Sequence, residues 1–245
     1  ENATINLMRV GGIAGRSARI DSNNGKHYLR NCSNNASILV ASPSSENVGS
    51  AMYVAGIAGG AQSEISNCTN NENGKITISG NRFSTGGRFT DFTKNETDGT
   101  FYVGGICGYK TVHTIKTAAN YASITFSGTE TSANTESISQ IRIGGIVAYI
   151  TGNPTSVTSK GKITVSGTIN SELALGGVIG MSLVAMPANI TNDADIEISG
   201  TLNGGVALGG VIGYVTDNSD KVGAQVESLT NNGDIKIKGV RTCII

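Results

Sequence analysis

The residue types that most often perform acid–base or metal chemistry are sparse in this chain. Only two histidines occur in its 245 residues, His27 and His113, and neither lies in a His-x-x-x-His or Glu-x-x-His spacing. A histidine metal site or a Ser-His-Asp triad therefore has little support. The glycine-rich runs lack the Gly-x-x-x-x-Gly-Lys-Ser/Thr sequence of a phosphate-binding loop. We predict no catalytic residue, no metal and no cofactor.

One group of carboxylates has a spacing that could support catalysis. Asp193, Asp195 and Glu197 alternate along one short segment, so an extended strand would place them on a common side. Enzymes that cleave polysaccharides use clustered carboxylates as acid, base or nucleophile. Equivalent positions elsewhere in the chain hold mainly Thr, Ser, Ala and Lys. A solvated ion pair of Glu197 with Lys236 is therefore the favoured interpretation.

Four long side chains recur at one position of a repeated motif and could form a binding surface. They are Arg9, Tyr53, Tyr102 and Arg142. Tyr combines an apolar ring with a hydrogen-bonding tip, so the four side chains stacked outward would make a stripe for a glycan or a peptide. The alternative, to which we give more weight, is that each ring or stem simply covers the sheet beneath it.

The motif that positions these residues consists of an aliphatic residue, two glycines and another aliphatic residue, followed by small or apolar residues. It occurs six times, at intervals of 32 to 49 residues, which is the period of solenoid and blade-type arrays. Apolar residues also alternate with variable ones just before each glycine pair, as in a half-buried strand. The copies start at Val10, Val54, Val103, Ile143, Leu175 and Leu208.

A second segment in each repeat alternates apolar, polar and apolar residues. Its inward positions are predicted to be Ile38, Ile76, Ile124, Ile163, Ile196 and Ile235, each followed two residues later by Val40, Ile78, Phe126, Val165, Ile198 or Ile237. A third apolar segment precedes it. Three short strands in about 33 residues describe one coil of a parallel β-helix, right-handed by the usual crossover preference. We predict an all-β fold of about six coils and three strands per coil, forming a single domain over residues 1–245.

The cysteines are predicted to serve packing rather than chemistry. Cys32 and Cys68 fill a position that is Ala118, Val157, Ile190 or Leu229 in other coils. We therefore expect buried, unpaired thiols stacked on neighbouring rungs, with Cys107 also near the core. Their separation would nevertheless fit a disulfide.

Insertions concentrate at one corner of the predicted coil. Two coils use the six-residue connections 167–172 and 200–205, whereas earlier coils insert 41–51, 81–100 and 128–140 at the same place. Stacked insertions would form one face, and arrays of this kind usually bind partners through such a face.

Composition excludes several classes of function. Lys plus Arg equals Asp plus Glu at 18 each, so the basic surface of a nucleic-acid or anionic-membrane binder is missing. The uncharged stretch 173–188 is shorter than the roughly 20 residues of a membrane-spanning helix, and it contains a repeat, so we predict β structure there. The chain enters a repeat almost at once, and we expect it to be part of a longer exported protein.

The Gly-Gly-Ile-Ala-Gly motif, followed by Asn31-Cys32-Ser33-Asn34 or Asn67-Cys68-Thr69-Asn70, resembles the GLUG-type glycine-rich repeats of adhesin-like surface proteins from Bacteroides-type bacteria. The likeness spans nearly the whole chain, although Ala55 and Ala148 replace expected glycines. It implies a non-catalytic, cell-surface or extracellular stalk and adhesive surface for a host or bacterial glycan or protein. The alternatives are a polysaccharide-degrading β-helix enzyme and a mineral- or ice-binding ladder of Thr77, Thr125 and Thr164.

Overall fold

The chain folds almost entirely into short β-strands. The computed structural model describes residues 7–18, 27–41, 51–80, 83–84, 100–111, 114–132, 140–183, 187–216 and 227–238. Within these ranges the 30 strands are arranged in six successive coils.

The first three coils contain the longer connections. Coil 1 contains β1 (Leu7–Gly11), β2 (Ala14–Ser17), β3 (Tyr28–Arg30), β4 (Ser33–Asn34) and β5 (Ile38–Ala41). Coil 2 contains β6 (Ala51–Ala55), β7 (Ala58–Ala61), β8 (Glu64–Ser66), β9 (Thr69–Asn70), β10 (Ile76–Ser79) and β11 (Phe83–Ser84). Coil 3 contains β12 (Thr100–Gly104), β13 (Cys107–Lys110), β14 (Ile115–Asn120), β15 (Ile124–Phe126) and β16 (Glu130–Ser132).

The last three coils are more compact in sequence. Coil 4 contains β17 (Gln140–Gly144), β18 (Val147–Ile150), β19 (Thr155–Ser159), β20 (Ile163–Val165) and β21 (Thr168–Ile169). Coil 5 contains β22 (Glu172–Gly176), β23 (Ile179–Leu183), β24 (Ala188–Asn192), β25 (Ile196–Ile198) and β26 (Thr201–Leu202). Coil 6 contains β27 (Val206–Gly209), β28 (Ile212–Thr216), β29 (Glu227–Asn231) and β30 (Ile235–Ile237).

Equivalent strands of successive coils pair in parallel and form four main sheets. Sheet A follows the order β1-β6-β12-β17-β22-β27, and sheet B follows β2-β7-β13-β18-β23-β28. Sheet C contains β3, β8, β14, β19, β24 and β29, with β4 and β9 beside them, and sheet D contains β5, β10, β15, β20, β25 and β30. This stacking of one coil on the next confirms the predicted parallel β-helix.

The glycine pair divides the first predicted segment into two strands, so the coils have four main strands. In coil 3 the chain bends at Gly104 and Gly105, between sheets A and B. A Cβ atom on Gly104 would overlap the carbonyl oxygen of Cys107, and one on Gly105 would overlap the carbonyl oxygen of Gly145 and the Asn120 side chain. The second position is glycine in all six coils because backbone and side chain approach closely there, whereas the first position accepts Ala55 in coil 2.

The core consists of two apolar columns on either side of this bend. One column lies between sheets A and D and includes Met52, Phe101 and Ile163. The other lies between sheets B and C and includes Ile106 and Cys68. The predicted inward positions of sheet D are confirmed for the inner coils, where they are fully buried. Each rung therefore buries apolar side chains from all four sheets, which supplies the main stabilisation.

The two ends of the stack are more exposed than its middle. Ile235 and Ile237 of coil 6 are 43% and 59% exposed, although their equivalents in coil 5 are buried. The same side chains would be covered by a further coil, because each coil protects its neighbour in a solenoid.

A ladder of asparagines separates the two columns. The Asn34 amide donates to Asn70 Oδ1 at 2.8 Å, and the Asn70 amide donates to Asn120 Oδ1 at 2.9 Å. The amides also bond the backbone of the following turn, for example from Asn120 to the Ala122 oxygen at 2.9 Å. Such networks rigidify a core when each member has partners. The six positions are Asn34, Asn70, Asn120, Ser159, Asn192 and Asn231.

Sheet C contains one left-handed residue in each coil. These residues precede the positions equivalent to Cys32 and Cys68, and their φ angles lie between 50° and 55°. Asn tolerates this region better than most residues do, and the Asn67 amide donates to Asn31 Oδ1 at 3.3 Å. The six residues are Asn31, Asn67, Thr117, Ser156, Asn189 and Ser228.

The corner after sheet D is where the insertions begin. β11 pairs in parallel with β16, and β21 pairs in parallel with β26. Buried Glu130 joins two coils, since its carboxylate accepts the backbone N–H groups of Asn170 and Ser171 at 2.8 and 2.9 Å. Most of insertions 41–51, 81–100 and 128–140 lies outside the described residues, so the predicted stacked face stays a prediction beyond these short strands.

The described part of the uncharged stretch 173–188 forms strands, as predicted: it includes most of β22, all of β23 and the start of β24. Across the described ranges, the structure contains no helix of the length and apolarity needed to cross a membrane.

Candidate functional site

The four residues predicted to form a binding stripe do stack in register on the outer side of sheet A. Arg9 lies beside Tyr53, Tyr53 beside Tyr102, and Tyr102 beside Arg142 on successive coils. Each lies between two core residues of its strand, as Tyr102 does between Phe101 and Val103. The alternation of the sequence therefore places the stripe correctly.

The stripe is covered by tyrosines of the neighbouring sheet. Tyr109 and Tyr149 project from the outer side of sheet B, and the bend at the glycine pair brings them against Tyr53 and Tyr102. Ring centroids lie 5.2 Å apart for Tyr53 and Tyr109 and 5.7 Å apart for Tyr102 and Tyr149. Tyr109 and Tyr149 are themselves stacked at 5.1 Å. We call these four residues the tyrosine column.

Burial changes what the stripe can do. Tyr53 and Tyr102 are each 1% exposed, so their rings pack in the tyrosine column and present almost no surface to a ligand. This burial agrees with the alternative interpretation of the sequence, in which each ring covers the sheet beneath it. Sequence reasoning missed Tyr109 and Tyr149, although each follows the first glycine of its motif by five residues and the recurrence is visible in the sequence.

Arg142 closes one end of the tyrosine column. Its guanidinium carbon lies 5.2 Å from the Tyr102 ring centroid and 5.0 Å from that of Tyr149. One terminal nitrogen donates to the Tyr102 hydroxyl at 2.9 Å, and the other donates to Gln140 Oε1. The side chain is 7% exposed. Its Nε–H group has no hydrogen-bond partner among the described residues, and such a buried donor is costly unless something binds it.

Beyond Arg142 the tyrosine column gives way to an open groove. Ala174 and Ala207 occupy the sheet A positions that are Tyr53 and Tyr102 in coils 2 and 3, because all of them share one register. The resulting groove has a volume of about 310 Å³ and begins at Arg142. Its walls are Gln140, Arg142, Glu172, Leu173, Ala174, Met181, Gly205, Val206, Ala207 and Tyr214. We call it the outer groove.

The outer groove has a mixed lining of apolar and polar groups. Met181 and half-exposed Tyr214 form the sheet B side, in register with Tyr149. The Gln140 amide donates to Glu172 Oε2 at 3.2 Å on the exposed rim. Burial raises the pKa of the Tyr149 hydroxyl, with a further contribution from Tyr102. That hydroxyl therefore stays protonated and able to donate at neutral pH.

Arg9 lies at the opposite end of the tyrosine column. Its guanidinium carbon lies 5.3 Å from the Tyr53 ring centroid. It also borders a very small pocket of about 10 Å³ with Arg16, Gly60 and Tyr109. That volume is about one water molecule, so the larger outer groove is the stronger candidate for a ligand.

The carboxylates of coil 5 are used in contacts between coils. Glu197 bonds Lys162 at 2.6 Å and Lys238 at 2.9 Å. These two hydrogen bonds lower the pKa of Glu197 to about 2. Lys236 is the register neighbour of Glu197, as predicted, but the predicted ion pair is wrong because Lys236 bonds Asp234 at 3.1 Å. The nearer ammonium groups of Lys162 and Lys238 hold the Glu197 carboxylate.

Asp193 and Asp195 also have neighbours in adjacent coils. Asp193 lies 3.9 Å from Lys160 and accepts the Asn232 amide at 2.7 Å. Asp195 accepts the backbone N–H of Asp234 at 3.0 Å. The three carboxylates of coil 5 are thus placed to stabilise the stack of coils.

Histidine and cysteine supply little further chemistry to the described surface. His27 is exposed, and His113 lies outside the described residues. Cys32, Cys68 and Cys107 are unpaired; Cys68 and Cys107 are buried and Cys32 is half-buried. Burial raises the pKa of Cys68 to about 11 and that of Cys107 to about 12, so both thiols stay protonated. No group of three His, Cys, Asp or Glu residues in the described ranges could hold a metal ion.

The threonine ladder of sheet D is present in register. Thr77, Thr125 and Thr164 lie side by side, half-buried, and Glu197 follows them in the next coil. The three hydroxyls form a short row that ends at the Glu197 carboxylate.

Comparisons of the chain with models of protein families, with curated proteins and with solved structures find no match. The candidate site is therefore defined by its geometry alone, and the outer groove is the feature best suited to bind a partner.

Proposed function

We propose that this chain is a non-catalytic binding and spacer segment of a cell-surface or secreted bacterial protein. Its partner is a host or bacterial surface glycan or protein, and further domains of the same polypeptide anchor it. The repeat motif that resembles adhesin-like proteins supports the location. The observation that carries the binding role is the outer groove, an open space of about 310 Å³ whose lining combines apolar side chains with Gln140, Arg142 and Glu172.

The spacer role is supported by the continuity of the stack. All four main sheets run through six coils, and the asparagine ladder and the tyrosine column follow the same direction. Parallel ladders of this kind resist bending because each coil is hydrogen-bonded to the next along its length. A groove on the outer side of such a rod is accessible to a partner.

The proposal is tested by comparing a groove-filling variant with a matched control. Ala174→Tyr places a ring in the outer groove, whereas Thr164→Tyr adds the same ring to an outward position of sheet D. Both variants and the original chain would be applied to a glycan array and to a panel of immobilised extracellular-matrix proteins. We expect the original chain and Thr164→Tyr to bind the same targets, and Ala174→Tyr to lose that binding.

A polysaccharide-hydrolysis assay on the bound glycans distinguishes a binding protein from the alternative, a polysaccharide-degrading enzyme. We expect no release of reducing sugar. Release that scales with protein concentration would establish the polysaccharide-degrading β-helix instead, and equal binding by Ala174→Tyr and the original chain would remove the outer groove from the binding function.

A further inference from the structure

We infer that the outer groove takes an aromatic side chain of a partner protein. The inference rests on the proposed function, because it names the chemical class of the partner that the same groove binds. It is carried by the chain's own side chains, which show what fits between sheets A and B.

The tyrosine column is an internal example of the occupied groove. In coils 2 and 3, Tyr53 and Tyr102 fill the space in front of the glycine bend, with ring centroids 4.9 Å apart. This spacing matches the distance of about 4.8 Å between neighbouring strands. In coils 5 and 6 the same register positions are Ala174 and Ala207, so the space that a Tyr ring would occupy is left open.

The walls on the sheet B side continue the aromatic environment. Tyr149 stacks on Tyr109 at 5.1 Å, and the next two outward residues of sheet B are Met181 and Tyr214. A thioether and a tyrosine ring both make favourable contacts with an aromatic group. A ring bound over Ala174 would therefore have the same kind of neighbours that Tyr53 and Tyr102 have.

Arg142 supplies a cationic surface that favours an aromatic ring. Its guanidinium carbon lies 5.2 Å from the Tyr102 ring centroid, and Ala174 is its register neighbour in the next coil. A ring bound over Ala174 would therefore lie beside the guanidinium on the side opposite Tyr102. Contact between a guanidinium and an aromatic face favours an aromatic side chain over an aliphatic one.

The lining also discriminates between rings and sugars. Gln140, Arg142 and Glu172 add polar groups to the outer groove, whereas Ala174 and Ala207 line it with apolar side chains. A sugar ring carries hydroxyls on most of its carbons, and those over Ala174 and Ala207 would lose hydrogen bonds to water without a side-chain partner there. An aromatic side chain exposes only its edge substituent to polar groups and suits this lining better.

Small-molecule probes test this directly. N-acetyl-L-tyrosinamide, N-acetyl-L-phenylalaninamide, N-acetyl-L-leucinamide and N-acetylglucosamine would be titrated into the chain by calorimetry or ligand-observed NMR. We expect the tyrosine and phenylalanine probes to bind with similar affinity and about fivefold more tightly than the leucine probe, as for one aromatic contact beyond the area that it buries. The sugar probe should bind about tenfold more weakly than the tyrosine probe, because its hydroxyls lose hydrogen bonds to water.

Variants identify the site of binding. Ala174→Tyr should abolish binding of the tyrosine probe and melt at or above the temperature of the original chain, because the new ring extends the tyrosine column. Ala207→Tyr provides a second filled groove, and Thr164→Tyr should leave the affinity unchanged. Unchanged affinity in both filled variants, or tighter binding of N-acetylglucosamine than of the tyrosine probe, would overturn the inference.

The outcomes separate this inference from the proposed function. Loss of array or matrix binding in Ala174→Tyr without any probe binding would overturn the aromatic partner and leave the binding function standing. Probe binding in a chain that recognises no surface target would support the aromatic groove and overturn the adhesive role.

Discussion

Replacing Asn70 by Leu tests whether the asparagine ladder holds the two apolar columns together. Asn70 is fully buried, and its amide donates to the Gly74 oxygen at 3.0 Å and to Asn120 Oδ1 at 2.9 Å. It also accepts the Asn34 amide at 2.8 Å. Leu has a similar shape and removes all three hydrogen bonds.

The magnitude follows from what is left without a partner. The Gly74 oxygen loses its bond to the Asn70 amide, and a buried unsatisfied group costs about 1–3 kcal/mol. Asn34 and Asn120 each keep a backbone partner, so losing the ladder bond costs about 1 kcal/mol at each. We expect Asn70→Leu to lower the free energy of unfolding by about 3–5 kcal/mol, a fall in melting temperature of roughly 6–20 °C.

Asn71→Leu is the matched control in the next residue. Asn71 makes two exposed hydrogen bonds, to Ser33 Oγ at 2.7 Å and to Asn35 Oδ1 at 2.8 Å. Exposed hydrogen bonds compete with water, so Asn71→Leu should lower the free energy of unfolding by less than about 1 kcal/mol. Urea unfolding followed by circular dichroism would measure both variants. Equal midpoints for Asn70→Leu and Asn71→Leu would refute the structural role of the ladder.

Three further changes test other parts of the fold. Ser159 occupies a ladder position with a buried hydroxyl that lacks a partner among the described residues. Ser159→Asn should therefore raise the free energy of unfolding by about 1 kcal/mol and with it the urea midpoint. A lower midpoint would show that the site cannot accept the amide. Ile163→Asp should unfold the array and Thr164→Asp should be nearly silent, because only Ile163 is fully buried; equal melting temperatures would contradict the strand orientation. Burial lowers the pKa of Lys110 from 10.5 to about 8, so its contribution to the free energy of unfolding should rise from pH 8 to 10.5, whereas the raised pKa values of the Cys68 and Cys107 thiols act in the opposite direction above pH 9. Lys110→Ile removes only the first contribution, so it should raise the urea midpoint at pH 7 and its advantage over the original chain should shrink from pH 8 to 10.5; an advantage that does not change with pH would count against the buried ammonium.

The repeat pattern predicted the sheets well because one physical rule governs them. Apolar residues at alternate positions of Ile163-Thr164-Val165 must face the core, and six similar segments leave few ways to stack. The division of the first segment into two strands is harder to predict. Ile57 and Ala58 are consecutive and both buried in the same apolar column, so the alternation that marks a strand is lost there.

The site was less predictable because it depends on the angle between two sheets. The alternating pattern places Tyr53 and Tyr102 correctly on the outer side of sheet A. Their burial by Tyr109 and Tyr149 depends on the angle between sheets A and B, and the sequence does not specify that angle. The asparagine ladder was also missed. Its signal, an Asn two residues before Ala or Gly as in Asn120-Tyr121-Ala122, resembles an ordinary turn.

The central claim, that the outer groove is a binding surface, is tested most directly by NMR of the methionine methyl groups. Met181 borders the outer groove, whereas Met52 is fully buried in the core and serves as an internal reference. With ¹³C-methyl labelling, titration with N-acetyl-L-tyrosinamide should shift the Met181 signal saturably and leave Met52 unmoved. A Met181 signal that stays fixed up to the solubility limit of the probe would contradict the account.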